Sequence, residues 1–106
     1  MSDVLKRLEA TIRARKGGDP ATSWTANLLA KGSEKAAGKF GEEAIEAIIA
    51  AVKGDTENLK DEAADVLYHL LVMLASCDVT LADVMAELQR REGRSGIDEK
   101  SARNTR

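Results

Sequence analysis

From Ala63 to Cys77 apolar side chains circle a helical wheel almost without a gap. Val66, Leu67, Tyr68, Leu70, Leu71, Val72, Met73 and Leu74 leave one narrow polar stripe, holding Glu62, Asp65, His69 and Ser76. A helix that is apolar nearly all round belongs in the middle of its bundle. Its polar stripe is then expected to face the interior or a cleft, not bulk water.

The rest of the chain supplies helices to surround it. Leu5, Leu8 and Ile12 recur at helical spacing and predict a first helix over Asp3–Lys16, ended by Gly17-Gly18. Asp19-Pro20 reads as a cap followed by proline in the first turn, opening a short helix to Lys31. After Gly32 and Ser33 a long helix runs to Lys53, and Gly54-Asp55 closes it and begins the next, which reaches Cys77. Thr80, with Asp83 three residues on, opens a last helix over Leu81–Glu92. Ala and Leu are plentiful and aromatics few, and no strand pattern, repeat or Gly-rich phosphate loop is found. The expected fold is therefore all-α, an antiparallel bundle of four to five helices in one domain over residues 1–92. Residues 93–106 have almost no apolar content and read as a polar, basic, disordered tail, or alternatively as a flap over a phosphate. So small a bundle gains by forming a homodimer.

With a net charge of −2, nothing global argues for nucleic acid or for an acidic membrane. The N-terminus is charged where a signal peptide needs an apolar run, and a cytoplasmic location is expected. The single cysteine, Cys77, excludes a disulfide within the chain and reads as a small buried apolar residue. Charge is unevenly placed. Up to Gly41 eight Lys/Arg face four Asp/Glu, whereas from Glu42 to Glu87 two face eleven.

The acidic segment carries the chemistry. Glu42, Glu43 and Glu46 fall within roughly a 100° arc of the third helix. Ile45, Ile48, Ile49 and Val52 occupy the neighbouring arc, where Gly38 and Gly41 leave room for another helix. Together with Glu62 and Asp65 these carboxylates would repel one another in a cleft, at a cost on the order of several kcal/mol each if unpaired. A hard divalent cation relieves that cost, and oxygen-only donors favour Mg²⁺, Mn²⁺ or Ca²⁺ over zinc. Mg²⁺ that keeps open positions is the arrangement that handles phosphates. A solvated glutamate face explains the same spacing without any metal. A di-iron carboxylate bundle does not, because it needs histidines on two helices and His69 is the only one.

Lys31, Lys35 and Lys39 recur every fourth residue ahead of Glu42 and Glu46, and on a continuous helix all five lie within about 80°. They could hold substrate phosphates, or form a solvated face with pairs such as Lys39 with Glu43. His69, on the stripe of Asp65, is expected to hydrogen-bond a ligating carboxylate, with direct ligation the alternative. Trp24 reads most simply as core, and alternatively as a platform for a base.

The pattern Glu-Glu-x-x-Glu, fifteen residues, then Glu-x-x-Asp resembles the metal signature of the all-α nucleoside triphosphate pyrophosphohydrolases, the MazG-like and dimeric dUTPase group. Within that group the chain resembles the phosphoribosyl-ATP pyrophosphatases. The resemblance lies in Leu8-Glu9-Ala10-Thr11-Ile12, Arg15-Lys16-Gly17, Ser23-Trp24-Thr25-Ala26, Leu29-Ala30-Lys31-Gly32, Lys39-Phe40-Gly41-Glu42-Glu43-Ala44 and Glu62 through Leu71. It covers residues 3–92, and departs at Trp24, where a tyrosine is more usual. It implies an α-helical homodimer that uses Mg²⁺ to split phosphoribosyl-ATP into phosphoribosyl-AMP and pyrophosphate in histidine biosynthesis. It further implies Glu43, Glu46, Glu62 and Asp65 as metal ligands, with Glu42 binding a second metal or orienting water. Lys31, Lys35 and Lys39 are then the substrate-binding residues. A housekeeping pyrophosphohydrolase acting on dCTP, dUTP or damaged nucleotides, or a non-catalytic helical interaction module, would use the same scaffold.

Overall fold

In the computed structural model, which describes residues 2–93, five helices follow one another with no strand among them. They are α1 (Ser2–Ala14), α2 (Trp24–Ala30), α3 (Ser33–Lys53), α4 (Thr56–Ser76) and α5 (Leu81–Arg91). The expected all-α class is what is observed. The expected tail, apart from Gly93, lies outside the described residues.

Local chemistry sets most helix ends. Gly54 closes α3 in the left-handed region at φ 74°, where a side chain would be strained. Asp55 then accepts the Asn58 N–H and opens α4, so two long helices are joined by a turn of two residues and pack along each other. Thr80 and Asp83 form a reciprocal capping box at the start of α5. The chain axis bends by 109° between α4 and α5, so α5 leaves the bundle instead of folding back antiparallel.

The second helix begins later than its proline suggested. Asp19 caps a turn, accepting the Ala21 N–H at its side chain and the Thr22 and Ser23 N–H groups at its carbonyl. Ser23 is the true cap of α2, accepting the Ala26 N–H at 3.1 Å. A cap of this kind contributes about 1 kcal/mol.

The core joins Ile12 of α1, Leu28 of α2, Ala36 of α3, Leu71, Val72 and Ala75 of α4, and Leu81 of α5. Ile12, Leu28 and Val72 are fully buried, each stabilising by about 1.5–3 kcal/mol. A polar clamp ties α1 to the start of α5. Glu9 Oε2 accepts the Leu81 N–H at 2.6 Å, Arg13 donates to the Val79 carbonyl at 2.9 Å, and Lys16 pairs with Asp78 at 3.0 Å.

One chain covers α4 only in part, leaving Leu67 43% exposed, as expected of so small a bundle. Two expectations fail. Cys77 is exposed, since it ends α4 and has left the core-facing turn. Trp24 is 54% exposed and is no part of the core. Among the described residues, no single helix is long and apolar enough to cross a membrane.

Candidate active site

The carboxylates come from facing stretches of α3 and α4. Glu43, Glu62 and Asp65 each bring one oxygen into a group whose atoms lie within 4.8 Å of one another. Two of the three are half-buried and Asp65 is exposed, so the cluster opens at one side. The antiparallel α3–α4 pair makes this possible, because it places the middle of α3 beside the second turn of α4. Of the expected polar stripe of α4, Glu62 and Asp65 join this group and His69 lies against Glu43, whereas Ser76 bonds the Met73 carbonyl one turn earlier on α4.

Crowding shows in the electrostatics. The Glu43 carboxyl is pushed above its ordinary value by burial first, then by the hydrogen bond and charge of Glu46, and then by Asp65 and Glu62. Glu62 is raised by desolvation and by the charges of Glu46, Asp65 and Asp61. Its Oε2 is buried and has no hydrogen-bond partner. Leaving such an atom unpaired is costly. An oxygen-only cluster with an orphaned carboxylate oxygen fits a hard divalent cation.

The remaining expected residues divide. Glu46 sits against Glu43, hydrogen-bonding its carboxyl, although it is outside the tight group. Glu42 projects outward, 63% exposed at its side chain, and pairs at 3.5 Å with Lys39 rather than leaving Lys39 to Glu43. His69 is buried in the wall, its Nε2 3.8 Å from Glu43 Oε1, which is contact but too long for a hydrogen bond. Burial first, and then the Lys39 ammonium, lower the His69 pKa, against the opposing charges of Asp65 and Glu42. His69 is therefore a neutral wall of the site. Its Nδ1 is buried without a partner.

The lysine stripe does not form one helical face. Lys31 caps the end of α2, and Gly32 at φ 88° turns the chain before α3 begins, so Lys31 is separated from Lys35 and Lys39. Lys35 is fully on the surface, whereas Lys39 is half-buried and close enough to act on both His69 and Glu42. Nothing lies within 4 Å of where a β-carbon on Gly38 or Gly41 would stand, so within the chain no helix packs closely against either.

One contact escaped the sequence reading. The Tyr68 and Thr25 hydroxyls hydrogen-bond at 2.5 Å and pin α2 to α4. The Tyr68 ring also meets the His69 ring edge-on, with centroids 4.8 Å apart. Hydroxyl pairs between helices far apart in sequence leave no periodic signal.

Known proteins resemble this chain over nearly its whole length. The profile of the phosphoribosyl-ATP pyrophosphohydrolase family matches residues 5–92. A protein named phosphoribosyl-ATP pyrophosphatase from Dinoroseobacter shibae is 74% identical over 100 residues, spanning 94% of this chain and 98% of its own. Proteins of the same name from Paracoccus denitrificans and Ruegeria pomeroyi are 73% and 69% identical, over 93% and 94% of this chain and 92% and 95% of theirs.

Proposed function

The chain belongs to the phosphoribosyl-ATP pyrophosphohydrolase family, and we propose that it works through a divalent-cation site at the α3–α4 junction. Its reaction is the hydrolysis of phosphoribosyl-ATP to phosphoribosyl-AMP and pyrophosphate, a step of histidine biosynthesis. The observation that carries the site is the meeting of Glu43, Glu62 and Asp65 within 4.8 Å, with one Glu62 oxygen buried and unpaired.

Glu43, Glu62 and Asp65 would hold Mg²⁺, with Glu46 beside Glu43 completing the set. Bound there, Mg²⁺ supplies positive charge at the phosphate oxygens. The surrounding side chains do the rest. Lys39, already directed at this wall, meets the negative charge of the polyphosphate, with Lys35 one turn earlier and Lys31 at the end of α2 guiding its approach. Glu42 is exposed at the rim and hydrogen-bonds the attacking water, orienting its oxygen toward the α-phosphorus. The attacking water gives up a proton to solvent at the open side of the site as the new P–O bond forms and the bond to the bridging oxygen breaks, and pyrophosphate leaves with its charge held by lysine. Neutral His69 packs Glu43 against α4 and limits the conformations open to that carboxylate.

A homodimer completes the fold. Ile45, Ile48, Ile49 and Val52 are 48–83% exposed along one side of α3, a continuous apolar face of the kind that a second copy covers. Pyrophosphate release from phosphoribosyl-ATP and from ATP, each with and without Mg²⁺, tests the reading. Release from phosphoribosyl-ATP that depends on Mg²⁺ is expected. Equal release in the presence of a chelator would refute the cation site.

A further inference from the structure

Isolated apolar side chains are ordinary on protein surfaces, so an exposed tryptophan means nothing by itself. The place of Trp24 is what matters. No other large apolar side chain between Val4 and Ile45 is as exposed among the described residues. Trp24 opens α2 directly after the Ser23 cap, and the next residue, Thr25, is bonded to Tyr68. Tyr68 touches His69, and His69 touches Glu43. Three contacts thus link Thr25, the neighbour of Trp24 in the first turn of α2, to the carboxylate cluster. A nucleotide whose polyphosphate meets Lys39 and the carboxylates has its base at the edge of the site, beyond the phosphates.

The base of the substrate is unusual. Phosphoribosyl-ATP carries a ribosyl group on N1 of adenine. Alkylation at N1 turns the ring into an amidine that is far more basic than adenine and takes up a proton near neutral pH. The base is then a flat cation, and an indole face attracts flat cations more strongly than neutral rings. We propose that Trp24 is the stacking platform for this N1-substituted, positively charged adenine and so sets the preference for phosphoribosyl-ATP over ATP. The inference rests on the activity given above. It adds a residue that chooses the substrate without touching the reacting atoms.

Trp24 is the sole tryptophan of the chain, so its fluorescence reports on that position alone. Titration of the wild-type protein with phosphoribosyl-AMP, which keeps the same base and is not hydrolysed, should quench the emission saturably, and AMP should quench it less. Trp24→Leu should lower kcat/KM for phosphoribosyl-ATP about tenfold, with a smaller loss for ATP, while Trp24→Phe retains an intermediate preference. Both variants should melt and sediment as the wild type does, because the indole lies outside the core. An unchanged preference ratio in both variants overturns the proposal. So does a quench by AMP as strong as that by phosphoribosyl-AMP, or a loss of activity that follows a changed sedimentation coefficient. If the wild-type protein releases no pyrophosphate from phosphoribosyl-ATP, the activity itself is refuted and this proposal falls with it.

Discussion

Replacing Ile48 by alanine should loosen the dimer without unfolding the protomer. Ile48 is 61% exposed on α3, between Ile45 at 58% and Val52 at 83%. The change removes three carbons, each contributing about 0.8 kcal/mol when transferred from water to an apolar contact. Scaled by the exposed fraction, the loss is about 1.5 kcal/mol per chain. Twofold symmetry places the same change on both sides of the interface, so the dimer loses about 3 kcal/mol, or about a hundredfold in Kd. Ile48→Asp should go further, because it strands a charge in an apolar contact. Sedimentation velocity across a dilution series measures the effect, and circular dichroism checks that the helices persist. If Ile48→Ala and Ile48→Asp both sediment as the wild type does at every concentration, α3 is not the dimer face. A folded, fully active wild-type monomer at low micromolar concentration would remove the dimer altogether.

Asp65→Asn and Glu46→Gln should each abolish Mg²⁺-dependent turnover. Each should also leave the metal-free protein at least as stable, since a like charge leaves the cluster; retained activity in both would eliminate the cation site, as judged by pyrophosphate release and melting with and without Mg²⁺. Lys39→Met should raise KM for phosphoribosyl-ATP more than it lowers Tm, because methionine keeps the apolar stem and loses the ammonium; normal kinetics would return Lys39 to the status of a solvated partner of Glu42. Glu87 is held at about 2 by Arg90 and then Arg91, below its ordinary 4.5. Its folded-state value is depressed, so its contribution is present above 4.5 and is lost as pH falls toward about 2. Acid titration of Glu87→Gln should therefore show a shallower stability loss over that range than the wild type, and parallel curves would contradict the Arg90 and Arg91 pairing.

Features that act over a few residues could be read directly from the chain. The Gly54 stop, the Asp55 cap and the Thr80–Asp83 box each satisfy backbone groups within one turn, so no distant residue had a vote. The periodicity of α4 likewise identified its polar stripe, because helical geometry alone places Glu62, Asp65 and His69 on one side. The start of α2 went the other way even at short range. Asp19 had two uses for its oxygens, and the turn won over the helix.

What only the tertiary structure decided is which of these groups meet. Several ionisable side chains compete for the α3–α4 junction, and the antiparallel pairing brings Glu43, Glu62 and Asp65 together while turning Glu42 outward to Lys39. Gly32 breaks a lysine row that looks unbroken in sequence, because a positive φ redirects the chain whatever the spacing on either side. Trp24 and Cys77 were assigned to the interior by their apolar character. Burial, however, belongs to a side chain's neighbours and not to the side chain, and at both positions the single chain supplies none that cover it. Helical phase and capping are properties of a few adjacent residues, whereas contact between α2, α3 and α4 is a property of the packed whole.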